Sequence, residues 1–219
     1  MSGIKACAVQ AWARTQGCGF LSFDYAGHGL SSEAFEHCTL STWRQDTLEA
    51  IDALTDGPLV LVGSSMGGWL ALLAALVRPE RCAGLVLIAP APDFTERLFE
   101  HSLNPQQRAT LHTQGHCEMP SEYGDSYMLT RALIDDAKQW KILGTAIAFE
   151  GPVRILQGMA DEDVPWLHAQ QLVGCLTETN VVLTLVRDGD HRLSRTQDLQ
   201  RLLDTCHEVA AEVSQQIPG

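Results

Sequence analysis

The sequence predicts an α/β fold in which helices flank a mostly parallel sheet. Apolar runs of strand length alternate with segments of helical periodicity along most of the chain. Several of these runs are almost wholly apolar, as strands buried on both faces of a parallel sheet should be. The 219 residues, of which 45% are hydrophobic and 19% charged, suit one domain with a sizeable core.

The predicted strands are apolar runs bounded by glycine, proline or polar residues. There are five of them, at 19–25, 58–63, 84–90, 152–158 and 180–186. Five helices are predicted before, between and after the strands, at 2–17, 41–57, 66–79, 165–176 and 194–213. Ser41 is the candidate N-cap of the second helix, because a serine directly before a helical pattern is a common start signal.

The segment from Asp93 to Glu150 breaks this alternation. It contains several helix-like pieces and no clear strand. Unstructured loops of that length are uncommon, so we interpret the segment as an inserted cap of helices. The predicted organisation is a single domain, with a core at 1–92 and 151–219 and a small helical cap insertion at 93–150.

The composition of the chain limits its possible binding partners and its cellular compartment. The net charge of −12 argues against nucleic acid, whose phosphates an acidic protein repels. The seven cysteines are scattered, odd in number and without a C-x-x-C pair, which predicts free thiols in a reducing compartment. No apolar run approaches the ~18 residues of a membrane span, and the N-terminus lacks the pattern of a signal peptide. We therefore expect a cytoplasmic protein, and the oligomeric state stays open.

One stretch carries a specific chemical signal. Gly63-Ser64-Ser65-Met66-Gly67 is a G-x-S-x-G motif between a predicted strand and a predicted helix, which is the setting of a nucleophile elbow. The spacing selects Ser65 rather than Ser64 as the exposed hydroxyl. We expect glycine at both 63 and 67 because a Cβ atom would collide where the chain reverses. A phosphate-binding loop is disfavoured because no G-K-[ST] follows.

A serine nucleophile needs a histidine base and a carboxylate that orients the histidine. In this setting the acid precedes the histidine in the sequence. Asp161 follows the predicted strand 152–158, and His191 follows the predicted strand 180–186. Open α/β sheets bind ligands at the carboxyl ends of their strands, so Ser65, Asp161 and His191 are predicted to meet there.

Other residues compete for these roles. Asp163 lies two positions beyond Asp161, and Asp93 follows the strand 84–90, from where an acid would also reach the histidine. His28, in a turn between glycines, is an alternative base, although a packed loop histidine is the simpler interpretation. The remaining histidines lack metal-ligand spacing, so no metal site is predicted.

Four motifs spread over nearly the whole chain share the pattern of a known family. They are FDYAGHGLSS at 23–32, LVGSSMGGWLALLAAL at 61–76, GMADEDVPW at 158–166 and GDHRL at 189–193. Together they resemble the α/β-hydrolase fold. The finer pattern, GSSMGGW, EMPSEY, DVPW and DHR, is similar to one branch of it. That branch contains a mitochondrial serine hydrolase described as a protein depalmitoylase and acyl-glucuronide deacylase, together with bacterial relatives.

The resemblance implies an α/β-hydrolase fold with Ser65 as nucleophile, Asp161 as acid and His191 as base. The backbone N–H of Met66 would be one oxyanion donor. Membership would imply carboxylic ester or thioester substrates and no cofactor. A serine at the elbow argues against the relatives that use an aspartate nucleophile there.

The sequence departs from this family at its start. Family members carry further strands before the first helix, and the third ends in a loop that donates the second oxyanion N–H. That strand would lie between 19–25 and 58–63, so its loss leaves backbone groups unpaired unless those two strands pair directly. We therefore expect a sheet truncated at its N-terminal strands. We also hypothesise that the natural chain starts upstream of Met1.

These observations predict a serine esterase or thioesterase that acts through a Ser-His-Asp triad and an acyl-enzyme. The alternative is a non-catalytic or impaired hydrolase-fold module that binds a small ligand. We expect Tyr123 and Trp166 to contact the substrate. Other apolar cap residues are candidates for an acyl pocket, although packing of the cap on the core explains most of them: Leu98, Phe99, Met119, Tyr127, Met128 and Leu133.

Overall fold

The computed structural model describes residues 3–97, 103–120 and 126–216. The strands in these ranges are β1 (Leu59–Ser64), β2 (Cys82–Ile88), β3 (His116–Met119), β4 (Tyr127–Thr130), β5 (Val153–Gly158) and β6 (Val181–Val186). β1, β2, β5 and β6 form a parallel sheet in the order β1–β2–β5–β6, and β3 and β4 form a separate antiparallel pair. The predicted α/β class and its mostly parallel sheet are confirmed.

All five predicted helices are present. The helices are α1 (Ile4–Gln16), α2 (Leu40–Leu54), α3 (Met66–Val77), α4 (Phe94–Arg97), α5 (Pro105–Gln114), α6 (Arg131–Ala137), α7 (Trp166–Cys175) and α8 (Thr196–Gln216). Short 3-10 helices cover Phe35–His37 and Lys138–Trp140.

The second helix begins earlier than the sequence predicts. Thr39 is the N-cap of α2: its side chain accepts the N–H of Thr42, and the Thr42 hydroxyl accepts the N–H of Thr39. The predicted cap, Ser41, is wrong. It lies in the first turn, and its hydroxyl donates to Asp136 at 2.6 Å. Threonine and serine are both good caps, so residue type alone does not separate these two positions.

Helices cover both faces of the sheet and bury its two central strands, β2 and β5. Alternate residues of β2 point to opposite faces. Leu85 and Leu87 belong to the core cluster that includes α2 and α3, and Val86 and Ile88 belong to a second cluster with α1 and α8. This burial on both sides explains why the strand reads as a continuous apolar run.

Residues 19–25 do not form the strand that the sequence predicts. In the described part of the chain they belong to no sheet, and β1 pairs with β2 alone. β1 is consequently an edge strand, and its Val62 is 41% exposed. An apolar run becomes a strand only where a neighbour satisfies its N–H and C=O groups. The segment instead contributes Phe20 and Tyr25 to the two core clusters.

The segment at 93–150 contains the predicted helical pieces and also a hairpin. β3 pairs with β4 from His116↔Thr130 to Met119↔Tyr127. The expectation that this segment has no strand is wrong. Each strand has four residues, and alternation over so short a run gives little signal. The division into core and cap stays a prediction.

Two features of the structure bear on the environment of the protein. All seven cysteines are free thiols; five are buried, and Cys7 and Cys18 are exposed. Among the described residues, no helix has the length and apolar character needed to cross a membrane.

Candidate active site

Ser65 lies at a sharp turn between strand and helix. β1 ends at Ser64 and α3 begins at Met66, so Ser65 alone joins them. Its φ of 55° and ψ of −121° are unfavourable for a residue that carries a side chain. Three backbone hydrogen bonds hold this conformation. The Ser65 N–H donates to the carbonyl oxygen of Ile88 at 2.9 Å, and the Ser65 carbonyl oxygen accepts the N–H groups of Gly68 and Ala91 at 2.9 and 3.1 Å.

Glycine is required at one side of this turn and not at the other. A Cβ atom on Gly63 would lie 2.3 Å from the carbonyl oxygen of Gly67, a contact that no side chain tolerates. A Cβ atom on Gly67 would meet nothing within 4 Å, so the steric argument made for it from the sequence is wrong. The second constrained glycine is Gly68, whose Cβ would lie 2.9 Å from Cβ of Pro90.

Asp161 lies in the loop after β5 and its side chain is fully buried. One carboxylate oxygen, Oδ1, accepts the backbone N–H groups of Asp163 and Val164 at 2.9 and 2.7 Å. The other, Oδ2, accepts from Gln157 Nε2 at 3.0 Å and from His191 Nδ1 at 2.8 Å. Four donors therefore hold the carboxylate in one orientation.

His191 lies in the loop after β6, which packs directly on the loop after β5. A Cβ atom on Gly158 would lie 2.3 Å from the carbonyl oxygen of Gly189, so this close approach requires glycine. The N–H of Ala160 donates to that same carbonyl at 2.9 Å. The contact brings the His191 ring alongside Asp161.

The His191 ring connects the carboxylate to the serine. Its Nδ1 atom is 2.8 Å from Asp161 Oδ2, and its Nε2 atom is 3.0 Å from Ser65 Oγ. Because a carboxylate only accepts hydrogen bonds, Nδ1 carries the hydrogen and Nε2 accepts from the serine hydroxyl. The three residues that the sequence predicts are thus joined in one hydrogen-bonded series.

The sequence of the chain matches a known protein family. Residues 7–211 match the model of the alpha/beta hydrolase family. The chain belongs to the alpha/beta hydrolase family. The resemblance found in the motifs is confirmed, and so is the fold class.

The hydrolase has mammalian and bacterial relatives. It is 35% identical to the mouse "Palmitoyl-protein thioesterase ABHD10, mitochondrial", and the match covers 100% of this chain and 74% of that protein. Among solved structures, a putative hydrolase from Agrobacterium vitis S4 is 44% identical with a TM-score of 0.90, covering 94% of this chain and 82% of that one. Mouse alpha/beta hydrolase domain-containing protein 10 has a TM-score of 0.88 at 35% identity, covering 97% and 86%.

The backbone N–H of Met66 lies beside Ser65 in the hydrolase. Met66 is the first residue of α3, and the first N–H groups of a helix have no acceptor within the helix. The positive end of the helix dipole points the same way. This end of α3 therefore favours negative charge close to the Ser65 hydroxyl.

Asp163, one alternative acid, lies close to the series. Its side chain is exposed, and its backbone N–H donates to Asp161. Oxygens of Asp163 and Asp161 and a ring nitrogen of His191 lie within 4.8 Å of one another, a set of ligand types that can hold a metal ion. Such an ion would replace the bonds that align His191 with Asp161.

Asp93, the other alternative acid, anchors the segment at 93–150. Its two oxygens accept the N–H groups of Ile142 and Leu143, each at 3.0 Å. Burial raises the pKa of Asp93 above its ordinary value, although these two hydrogen bonds oppose the change. Asp161, and not Asp93, is the acid that contacts His191.

His28 is a packed loop residue, as the simpler interpretation of the sequence had it. Its ring contacts those of Tyr25, Phe35 and Trp43 at centroid distances of 6.2, 5.4 and 5.2 Å. The Nδ1 atom lies 3.1 Å from the carbonyl oxygen of Ala26. This aromatic environment fixes the ring in place.

The structure describes only some of the residues that are predicted to contact a substrate. Tyr123, Leu98 and Phe99 lie outside the described residues. Trp166 is half-buried and is the first residue of α7, directly after the loop that carries Asp161. It therefore lies on the sheet edge that carries the site.

Other apolar candidates in the segment at 93–150 divide into two groups. Met119 and Leu133 are buried in the main core cluster, so packing accounts for them. Met128 and Tyr127 are half-buried, and the Tyr127 ring meets Phe35 edge-on at 5.7 Å. Burial and the nearby charge of Asp163 raise the pKa of Tyr127.

Two contacts of the site were not anticipated from the sequence. Gln157 bonds to Asp161, and Lys5 Nζ donates to the carbonyl oxygen of Arg192, beside His191. Burial lowers the pKa of Lys5. A signal for Gln157 exists: it is a neutral polar residue at the end of the otherwise apolar run ILQG. Lys5 offers no comparable signal.

Proposed function

We propose that this protein is a serine hydrolase that cleaves carboxylic ester or thioester bonds. Ser65 is its nucleophile, His191 its general base and Asp161 the acid that orients the histidine. One observation carries the proposal. The series Asp161–His191–Ser65, with bonds of 2.8 and 3.0 Å, ends at a hydroxyl on a strained strand-to-helix turn.

The first step is attack of Ser65 Oγ on the carbonyl carbon of the substrate. His191 Nε2 takes the hydroxyl proton as the new C–O bond forms. The resulting imidazolium is stabilised by the buried carboxylate of Asp161, which stays ionised. Because four donors fix that carboxylate, little reorganisation accompanies the proton transfer.

The oxyanion of the tetrahedral intermediate is stabilised at the start of α3. The Met66 N–H is one donor, and the helix dipole adds to its effect. When the intermediate collapses, His191 gives its proton to the departing alkoxide or thiolate, and an acyl group remains on Ser65. Water, deprotonated by His191, then attacks the acyl group and restores the serine. These steps require no cofactor or metal.

The substrate class follows from the site and from the relatives. A mouse relative is named a palmitoyl-protein thioesterase, so an acyl thioester is one candidate and a simple carboxylic ester is the other. We propose Tyr123 and Trp166 as contacts for the acyl group. The net charge of −12 disfavours strongly anionic substrates.

We propose a cytoplasmic location on the basis of the free thiols. The curated mouse relative is named as mitochondrial, which is the competing location. Imaging of the full-length protein in its native cell distinguishes the two.

Labelling with a fluorophosphonate probe tests the proposal. The probe reacts with serines that a neighbouring base activates, so wild-type protein should be labelled at one site. Ser65→Ala should abolish labelling. Ser64→Ala is the matched control, since Ser64 is the adjacent residue at the end of β1 and should not be required.

A panel of p-nitrophenyl esters and acyl thioesters of graded length then identifies the preferred substrate. Hydrolysis that is lost in Ser65→Ala and kept in Ser64→Ala supports the proposal. Absence of labelling in folded wild-type protein, or labelling that survives Ser65→Ala, contradicts it. The non-catalytic module would be the remaining interpretation.

A further inference from the structure

Gln157 is a fully buried polar residue at the end of a central strand. It is the penultimate residue of β5, between the apolar Leu156 and Gly158, and it is 0% exposed. Buried amides are found where their hydrogen bonds are specific, because an unpaired polar group in the interior is costly. Its partners therefore indicate what the residue does.

The Gln157 amide nitrogen is surrounded by acceptors. Nε2 lies 3.0 Å from Asp161 Oδ2, 3.0 Å from the carbonyl oxygen of Val164 and 3.1 Å from that of Gly158. These contacts reach from Gly158, the last residue of β5, to Val164 near the end of the loop. One side chain thus closes the loop and bonds to the carboxylate that the loop carries.

The oxygen of the Gln157 amide, in contrast to the nitrogen, is not surrounded by hydrogen-bond partners. Its Oε1 atom is buried and has no hydrogen-bond partner within the described chain. A flipped amide would place Oε1 against three acceptor oxygens, so this orientation of the group is the only reasonable one. An unsatisfied buried oxygen is unfavourable in a purely structural residue, and functional sites are where such costs are retained.

We propose that Gln157 is a positioning residue for the catalytic acid. Its amide holds Asp161 Oδ2 in the direction of His191 Nδ1, and its bond to Val164 keeps the loop in the shape that this direction requires. Gln157 touches neither the substrate nor the reacting atoms, and it acts through Asp161. The inference rests on the proposed function, because it assigns a role within the same series.

The role predicts a specific defect. Without the amide donor, Oδ2 keeps His191 as its one side-chain partner, and the loop is free to change shape. The His191 ring would then be less well aligned with Ser65, and small misplacements of this kind slow the chemical step more than they weaken binding. The expected loss is therefore in kcat.

Two substitutions test this. Gln157→Glu keeps the shape of the side chain and removes its amide N–H groups. Gln157→Leu removes all polar atoms of the side chain. The matched controls are Gln171→Glu and Gln171→Leu on the exposed side of α7. Active sites are counted by exhaustive fluorophosphonate labelling, so that kcat is expressed per competent site. A merely structural role would lower the number of competent sites and leave kcat per site unchanged.

We expect kcat per labelled site to fall about ten- to hundredfold in the Gln157 variants, with KM changing less than about twofold. Both Gln171 variants should match wild type. The low-field proton NMR signal of the His191–Asp161 hydrogen bond gives a second readout that needs no substrate. It should shift or vanish in the Gln157 variants alone.

The outcomes separate the two proposals. If wild-type protein and the Gln171 variants neither label nor turn over, the proposed function fails, and the NMR signal alone decides the role of Gln157. If wild type is active and a folded Gln157 variant keeps its kcat per site and its NMR signal, the positioning role is wrong. Should Gln157→Leu fail to fold, the isosteric Gln157→Glu decides the question.

Discussion

The Nε2 atom of His191 lies 3.0 Å from the Oγ atom of Ser65, although 126 positions separate the two residues in the chain. The parallel sheet makes this meeting possible. Ser65 follows β1 and His191 follows β6, and parallel strands end at the same edge. The distance suits proton transfer from the hydroxyl to the ring.

Removing the His191 ring should abolish most of the activity while leaving the fold intact. His191→Ala deletes the base of the proposed mechanism, and kcat for an ester substrate should fall by about 10⁴-fold or more. His207→Ala, on the exposed face of α8, is the matched control and should behave as wild type. Steady-state kinetics and circular dichroism check both. Near-normal turnover by folded His191→Ala would show that another residue is the base.

Trp166 should affect the binding of the acyl chain and not the rate of the chemical step. If its half-buried side chain contacts the acyl group, Trp166→Ala raises KM for long-chain esters about tenfold, equivalent to about 1.4 kcal/mol of lost binding. KM for acetyl esters should stay unchanged. Leu167→Ala is the control, since Leu167 is the next residue of α7 and is 59% exposed. An equal rise in KM for short and long esters would argue against this contact.

The elbow glycines should differ in their tolerance of alanine. Gly63→Ala forces a Cβ atom onto the backbone of Gly67 and should lower the free energy of unfolding by about 3 kcal/mol or more. Gly67→Ala has open space, and alanine favours helices, so stability should be unchanged or higher by up to about 1 kcal/mol. Chemical denaturation measures both values. Equal losses in the two variants would contradict the geometry of the turn.

Asp198 should make the stability of the fold depend on pH in the acid range. The bond to the Arg195 guanidinium, at 2.7 Å, lowers the pKa of this buried carboxyl, although burial itself opposes the change. The folded protein therefore holds the ionised form more strongly than the unfolded chain. The stability that this ionised form contributes is present above pH ~4, the ordinary pKa of an aspartate, and is lost as the pH falls through the lowered pKa.

Asp198→Asn tests this contribution. The variant should be less stable than wild type at pH 7, and the difference should disappear as acid is added. Asp204→Asn is the control, because Asp204 lies on the exposed face of the same helix. A difference between wild type and Asp198→Asn that is the same at pH 7 and pH 3 would refute the assignment.

The predicted features that the structure contains, namely the parallel sheet and the meeting of Ser65, Asp161 and His191, depend on local signals. β2 is buried on both faces, and its sequence is an unbroken apolar run. Ser65 is identified by glycine spacing between a strand and a helix, and Asp161 and His191 by their places after later strands. Each of these inferences needs only nearby residues and the general rule for parallel sheets.

The parts that were missed depend on contacts between distant residues. Residues 19–25 have the composition of a strand, but whether they pair depends on what lies beside them. The difference between Gly67 and Gly68 depends on Pro90, which arrives from the end of β2. Gln157 is visible as an odd polar residue, but its role depends on how the loop after β5 folds back upon it.

The central claim, that Ser65 carries the acyl group, is tested most directly by mass spectrometry of a reaction quenched during turnover. A slowly hydrolysed ester or thioester should leave the mass of its acyl group on the peptide that contains Ser65. Ser65→Ala should show neither adduct nor turnover. Turnover with no acyl group on that peptide, or adduct formation and turnover that persist in Ser65→Ala, would contradict the account.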